Sequence, residues 1–231
     1  MKKLPPTSPI QKLLHSAKGL IFDLDGTLTL TQQFHAKAFA KVFKKKGLRY
    51  TSKDDYRYAG KGSHCIFPEF FAEHGIKITK KQTEQYAEQK KQAYNRIINT
   101  ARIKSVPGIK NFLKKMRREG KKMIVATGNK LESVQIILHK AGLGEFFKEI
   151  VTNKDVKKSK PAPDIFLKAA EKLNLKPKEC IVFEDSVNGI QAAKAGKISS
   201  IGLATGLSEK ELKKKGATFV IKNYNKNHGK R

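Results

Sequence analysis

Short apolar runs alternate along this chain with segments of helical period. The runs at 20–24 (LIFDL), 123–128 (MIVATG), 149–153 (EIVTN), 180–185 (CIVFED), 199–206 (SSIGLATG) and 218–221 (TFVI) read as strands. Helical patterns at 108–119, 130–141, 162–174, 186–195 and 208–215 lie between them. A strand followed each time by a helix or a turn predicts an α/β fold with a doubly wound parallel sheet. Ligands of such sheets sit beyond the carboxyl ends of the strands. The residues that close each apolar run are therefore the first candidates for chemistry.

One interval breaks the alternation. Residues 32–103 hold no convincing strand and read as helices, in QQFHAKAFAKVFKKKG, SHCIFPEFFAEHG and TKKQTEQYAEQKKQAYNRIINTARI. The interval is far longer than an ordinary crossover. It predicts an all-helical domain at 32–103, inserted into a core made of 1–31 and 104–231. SVPGI (105–109) marks the return, with Pro107 near the first turn of a helix. The first nineteen residues are expected to be a loose proline-bearing arm, and the polar tail NYNKNHGKR is expected to fray.

Charge changes this picture little. The 231 residues include 49 Lys and Arg against 20 Asp and Glu, a formal charge of +29. Such an excess points to a polyanion or a membrane surface as partner, or to lysines spread over solvated helix faces. The second reading fits better. Lysines recur in nearly every segment, as in KVFKKKG, FLKKMRREGKKM and KELKKKG, without interleaved aromatics for base stacking. With 39% apolar residues the chain can bury a core. It has no run of 18 apolar residues, so no transmembrane helix is expected. The first residues lack the apolar stretch of a secretory signal. Cys65 and Cys180 have no metal-site spacing and suit a reducing compartment. The expectation is a cytoplasmic monomer.

Candidate chemistry collects at the strand ends. KGLIFDLDGTLTL closes its apolar run with Asp23 and Asp25, two positions apart and so on one side of an extended segment. Gly26 permits a tight exit, and Thr27 is placed to bond the local backbone. Two carboxylates this close repel unless a cation lies between them. Three uses are open: hard oxygen ligands for a divalent cation such as Mg2+, a nucleophile beside a general acid/base, or a turn that caps the next helix. CIVFED adds Glu184 and Asp185 at another strand end. These acids complete a metal site, or Asp185 merely caps the following helix. MIVATGN supplies Thr127, Gly128 and Asn129, which make an anion cradle or an ordinary turn. KKSKPAPDIF places Lys160 before Pro161, in extended geometry.

Together DLDGTLT, VATGN, SKPAPDIF and FEDSVNGIQAAKAG resemble the motifs of the haloacid dehalogenase superfamily. More narrowly they resemble its beta-phosphoglucomutase and phosphoglycolate-phosphatase-like group, which carries a helical cap after the first strand. The likeness runs from Lys18 to about Ile221, and the cap matches by position and helicity alone. The resemblance implies a Rossmann-like core with Mg2+ as cofactor. Asp23 would be the nucleophile that forms an aspartyl-phosphate, and Asp25 the acid and then the base. Mg2+ would be held by Asp23, the backbone carbonyl of Asp25 and Asp185, with Glu184 close by. Thr127, Gly128, Asn129 and Lys160 would grip the phosphoryl group. Substrate choice would fall to His35, Lys61, Ser63 and His64 in the cap. His35 stands where mutase-like relatives have a hinge histidine, or it is simply an exposed helix histidine.

Two departures bear on function. Leu30 stands where many relatives carry an acid, at the expected hinge into the cap. The cap loop YAGKGSHCIF lacks the arginine usual in sugar-phosphate mutases. The implied activity is Mg2+-dependent hydrolysis of a small phosphorylated metabolite, a sugar phosphate or a phosphoglycolate-like ester. The alternatives are a phosphosugar mutase on the same scaffold and, from charge alone, a non-enzymatic nucleic-acid or polyanion binder.

Overall fold

A computed structural model describes residues 8–58 and 60–225. Its centre is β1 (Gly19–Phe22), four residues buried along their whole length. β1 pairs in parallel with β2 (Lys122–Thr127) on one side and β4 (Cys180–Glu184) on the other. β3 (Ile150–Thr152) extends the sheet beyond β2, while β5 (Ser199–Leu203) and β6 (Phe219–Ile221) extend it beyond β4. The order is β3-β2-β1-β4-β5-β6, parallel throughout, as the strand–helix alternation predicts. Chain order reverses at β1 and β4, so the crevice for a ligand opens at the carboxyl ends of those two strands.

Both faces of the sheet are covered, which explains the unbroken apolar runs. Leu20, Phe22, Val125 and Phe183 face one way, toward α6 (Ile109–Arg118) and α7 (Leu131–Ala141). Ile21, Ile124 and Val182 face the other, toward α8 (Asp164–Lys172) and α9 (Val187–Ala195). Phe22 stacks on Phe183 of the neighbouring strand with ring centroids 4.7 Å apart, stiffening the strand ends that carry the acids. α10 (Glu209–Lys214) connects β5 to β6.

Between β1 and β2 the chain forms α2 (Gln32–Lys44), α3 (Ser52–Tyr58), α4 (Ser63–Glu73) and α5 (Lys80–Thr100). These helices bury a cluster of their own. Phe43 sits inside it, with the rings of Tyr50, Phe67, Phe70 and Phe71 at 4.3 to 5.3 Å. α3 escapes sequence reading because SKDDYRY has no apolar period; only Asp55 and Tyr58 of it are buried. α5 joins two cores. Tyr86 belongs to the aromatic cluster, whereas Ala93, Tyr94 and Ile98 pack with the sheet-side residues. Lys140 of α7 donates to the carbonyls of Ile98 (2.8 Å) and Asn99 (2.5 Å), satisfying the open end of α5. The two connections into this helical segment run side by side: Leu30 N–H donates to Lys104 at 2.8 Å, and Val106 N–H to Leu28 at 3.0 Å.

Both chain ends differ from expectation where they are described. Residues 9–16 are no loose arm but α1 (Pro9–Ser16). Ser8 and Gln11 form a reciprocal capping box, and Pro9 occupies the first helical position, where a missing N–H costs nothing. Residues 1–7 lie outside the described residues. In the tail, Tyr224 is buried and its N–H donates to Pro107 at 3.0 Å, so the chain stays docked to this point. Residues 226–231 lie outside the described residues.

Candidate active site

Asp23 leaves the end of β1 with its N–H donated to Phe183 of β4 at 3.0 Å, which continues the sheet register one residue further. Its carboxylate is buried and receives Lys160 Nζ on Oδ1 at 2.6 Å. The same ammonium lies 2.7 Å from Glu184 Oε1, at the end of β4. Glu184 is fixed further by the Ser186 N–H, 2.6 Å from Oε2. Gly189 allows this approach, since a Cβ there would lie 2.0 Å from Oε1. Ser186, not Asp185, caps α9, accepting the Gly189 N–H at 3.0 Å. The capping role considered for Asp185 is therefore taken by its neighbour, and Asp185 turns into the site. It lies against Gly26, where φ is +73° and a Cβ would come within 1.9 Å of Oδ2. Glycine is required there on both counts.

Asp23, Glu184 and Asp185 place a carboxylate oxygen each within 4.8 Å of one another, all buried. Lys160 offsets one of three charges, so the ionised cluster carries two uncompensated negatives in a buried site. This crowding of charge and the burial shift both aspartates of the cluster. Burial pushes the Asp23 carboxyl up to about 7, Lys160 opposing and Glu184 and Asp25 adding to the rise. Asp185 is pushed well above its ordinary value by burial, then by Glu184, Asp23 and Asp25. A buried set of hard oxygen donors with this charge fits a divalent cation of the Mg2+ type.

Asp25 sits in a different environment. Thr31 donates its hydroxyl to Oδ1, and Asn129 Nδ2 donates to Oδ2 at 2.6 Å. His35 Nε2 lies 3.2 Å from Oδ2, and Lys90 Nζ lies 2.7 Å from His35 Nδ1. Tyr94 stacks on the His35 ring at 4.2 Å and brings its hydroxyl to 3.5 Å from Asp25 Oδ1. Burial raises the Asp25 carboxyl, but the His35 charge and hydrogen bond, with Thr31 and Asn129, more than reverse it and hold it below its ordinary value. The two aspartates thus titrate in opposite directions, the pattern of two carboxylates with separate tasks. With its side chain so engaged, Asp25 stands apart from the three acids that gather a carboxylate oxygen each.

A cavity of about 130 Å3 lies over these groups. Asp23, Asp25, Thr127, Gly128, Asn129, Lys160, Glu184 and Asp185 all open on it, and so do His35, Lys61 and Ser63 from the helical segment. His64 does not; it is exposed and lines a neighbouring cavity instead. His35 is no exposed helix histidine, since its ring is pinned between Asp25 and Lys90. Thr27 is the other departure. It makes no local backbone bond: its hydroxyl is fully buried and without a hydrogen-bond partner among the described residues.

The acids at two strand ends, the lysine between them and the helices folded over the crevice can be set beside known proteins. A model of haloacid dehalogenase-like hydrolases matches residues 17–197. The chain belongs to that family. It is similar to protein CbbY of Rhodobacter capsulatus, 32% identical over 77% of this chain and 81% of that one. It is similar also to the fructose-1-phosphate phosphatase YqaB of Escherichia coli, 30% identical over 79% of this chain and 94% of that one. Among solved structures, a beta-phosphoglucomutase from Clostridium difficile superposes with a TM-score of 0.81 at 27% identity, covering 90% of this chain and 92% of that one. The chain is thus an enzyme of a family whose members here include a phosphatase and a phosphomutase.

In this haloacid dehalogenase-like site, sequence reading missed Thr31, Lys90 and Tyr94. Lys90 is the informative one. It is buried, its ammonium lies 4.8 Å from the ring centroids of both Phe39 and Tyr94, and burial lowers it to about 8 against the pull of Asp55 and Asp25. The available signal was weak. Lys90 follows Tyr86 and precedes Tyr94 at four-residue spacing, on the face of α5 that turns inward.

Proposed function

We propose that this enzyme is a Mg2+-dependent phosphatase that hydrolyses a small phosphorylated metabolite through an aspartyl-phosphate on Asp23. The observation that carries the proposal is the division of labour between two aspartates, one beside Lys160 and two further acids, the other wrapped in hydrogen-bond donors. Asp23, Asp185 and the Asp25 carbonyl, with Glu184 behind them, would hold the cation. Its contribution when bound is to offset negative charge on the phosphoryl oxygens and on the attacking carboxylate.

The protein's own groups supply the rest. Asp23 Oδ attacks phosphorus as the ester oxygen departs, and Asp25 gives that oxygen its proton. Asp25 is anionic in the arrangement described. As substrate enters, the negative phosphoryl group raises its proton affinity and Asp25 takes up a proton from solvent, the one it then gives to the leaving oxygen in the first half-reaction. After the leaving group has gone, the anionic form returns. It takes a proton from water, the water oxygen attacks the acyl-phosphate phosphorus, and inorganic phosphate leaves with Asp23 restored. Lys160, Thr127 and Asn129 steady the phosphoryl oxygens. The helices α2 to α5 exclude water while they cover the cavity.

A phosphomutase would use the same first step. The phosphatase reading is preferred because the cap loop offers no arginine, and its Lys61 is paired with Glu69 at 2.5 Å. The free thiols Cys65 and Cys180 support action in the cytoplasm. The test is phosphate release from a panel of phosphorylated metabolites with Mg2+, run beside Asp23→Asn. Steady release by the native enzyme and none by the variant is expected. Isomerisation of a hexose phosphate without phosphate release would turn the assignment to mutase. Turnover by Asp23→Asn would overturn it.

A further inference from the structure

One buried acid has no task in that scheme. Asp55, on α3, is 4% exposed and opens on the catalytic cavity. Its hydrogen-bond partners are neutral: Gln32 Nε2 donates to Oδ2 at 2.6 Å, and the Tyr50 hydroxyl to Oδ1 at 3.4 Å. The charges that act on it, His35 and Lys90, are engaged elsewhere, His35 Nε2 with Asp25 at 3.2 Å. Lys90 Nζ meets His35 Nδ1 at 2.7 Å, and Lys61, which lines the same cavity, is paired with Glu69 at 2.5 Å. Burial lifts the Asp55 carboxyl above its ordinary value, and His35, Gln32 and Lys90 do not bring it back.

A carboxylate offers about four acceptor positions. Among the described residues Asp55 uses one well and one weakly, and no donor reaches the amide oxygen of Gln32, half-buried beside it. Phe39, Tyr58 and Ile66 line the same cavity with apolar surface. An unpaired acid buried in a cavity built for phosphate esters is unfavourable on its own account. It becomes useful where the group that arrives next to it brings hydroxyl donors and no negative charge.

We infer that Asp55 and Gln32 select the leaving group, accepting an uncharged, hydroxyl-bearing one and rejecting one that carries a carboxylate or a second phosphate. The inference rests on the phosphatase reading and narrows its substrate to monophosphates of polyols or sugars. Hydroxyl hydrogens of the leaving group donate to Asp55 and to the Gln32 amide oxygen, while its C–H face lies on Phe39 and Ile66. An anionic leaving group instead meets a like charge inside a desolvated wall, which excludes it by repulsion rather than by shape.

The experiment uses two matched pairs: glycerol 3-phosphate with 3-phosphoglycerate, and glucose 6-phosphate with 6-phosphogluconate. Within each pair the esters differ by a hydroxymethyl or aldehyde-derived carbon against a carboxylate. The native enzyme is expected to favour the neutral member in kcat/KM by about tenfold or more. Asp55→Asn, which preserves shape and the contact with Gln32, is expected to cut that ratio about tenfold. A merely structural role would slow both members alike and leave the ratio unmoved, which overturns the inference. Equal use of both members by the native enzyme overturns it without any variant. Gln32→Met provides a second substitution, expected to raise KM for glycerol 3-phosphate more than for p-nitrophenyl phosphate, which has no hydroxyl; equal effects count against the pair. Hydrolysis of p-nitrophenyl phosphate by the native enzyme, absent in Asp23→Asn, separates the two failures. Its absence counts against the phosphatase, whereas its presence with a flat ratio counts against Asp55 and Gln32 alone.

Discussion

The ammonium of Lys160 lies 2.6 Å from the carboxylate of Asp23, inside a site where both side chains are at least nine-tenths buried. Lys160→Met removes that charge and leaves Asp23 and Glu184 as buried acids without their cation. Breaking one partner out of a buried ion pair costs about 3–5 kcal/mol. A denaturant melt at neutral pH is expected to register a loss of that order, and phosphate release is expected to fall by about 100-fold or more. A melt that matches the native enzyme would mean the acids do not depend on Lys160.

The acidic cluster also sets a pH dependence with a definite sign. Asp23 rises from 3.8 to about 7 on folding, so the folded state holds its proton where the unfolded chain has lost it. Stability contributed by the protonated form is present below pH 4 and is lost as pH climbs to about 7. Asp185 shifts in the same direction and extends the window upward. Asp25 shifts the other way and acts only in the acid range below its ordinary value. The metal-free protein is therefore expected to melt several degrees lower at pH 8 than at pH 5, at up to about 1.4 kcal/mol per pH unit for each proton involved. Mg2+ binds the ionised cluster, so the melting shift it produces should be larger at pH 8 than at pH 5. A thermal shift series with Mg2+ and with chelator checks both statements, and a Mg2+ effect that shrinks toward high pH contradicts them.

His35 offers a sharper probe of the second aspartate. Asp25 would be raised by its burial, and the charge and hydrogen bond of His35 are the first forces against that rise. His35→Ala lets burial prevail. Asp25 then keeps its proton to higher pH, so the alkaline limb of the kcat/KM profile, which covers the step in which Asp25 is the acid, is expected to move up. An alkaline limb that stays in place would show that Thr31 and Asn129 suffice to hold Asp25 ionised.

The strand ends were readable because each is written locally: an apolar run, two acids and a turn occupy consecutive positions in LIFDLDGT and CIVFEDS, so one alignment of the pattern with a parallel sheet brings them together. What lies over them was not. Lys90 is one of 49 Lys and Arg, and nothing in EQKKQAY tells the buried lysine from its half-buried neighbour Lys91. Asp55 sits in a seven-residue helix too short and too polar to show a period. Both acquire meaning only from tertiary contacts, Lys90 with His35 and Asp55 with Gln32, across 55 and 23 residues of sequence. α1 was misjudged for a local reason: SPIQ reads as a loop when its proline is counted as a breaker and as a helix start when the Ser–Gln box is counted first.

The contact between α3 and the loop after β5 supplies the last prediction. A Cβ at Gly206 would fall 1.9 Å from Cε1 and 2.3 Å from the hydroxyl of Tyr56, so the ring lies directly on that backbone. The adjacent Thr205 donates its hydroxyl to the Gly26 carbonyl at 2.7 Å, and Gly26 packs on Asp185. The helices covering the cavity therefore rest on a loop bonded to the catalytic turn. Gly206→Ala must push the Tyr56 ring away and hold α3 off the core, because the clash is with a rigid ring rather than a flexible chain end. Gly206 is exposed, so the fold and the melting point should change little. Incomplete closure should raise KM and lower kcat together, several-fold each. Removing the ring in the same chain, as Gly206→Ala with Tyr56→Ala, clears the obstruction and should recover part of the kcat loss. Kinetics of the single and double variants decide the matter: a Gly206→Ala enzyme with native kcat and KM, or a double variant worse than the single one by the full sum of both changes, would show that closure does not depend on the space this glycine leaves.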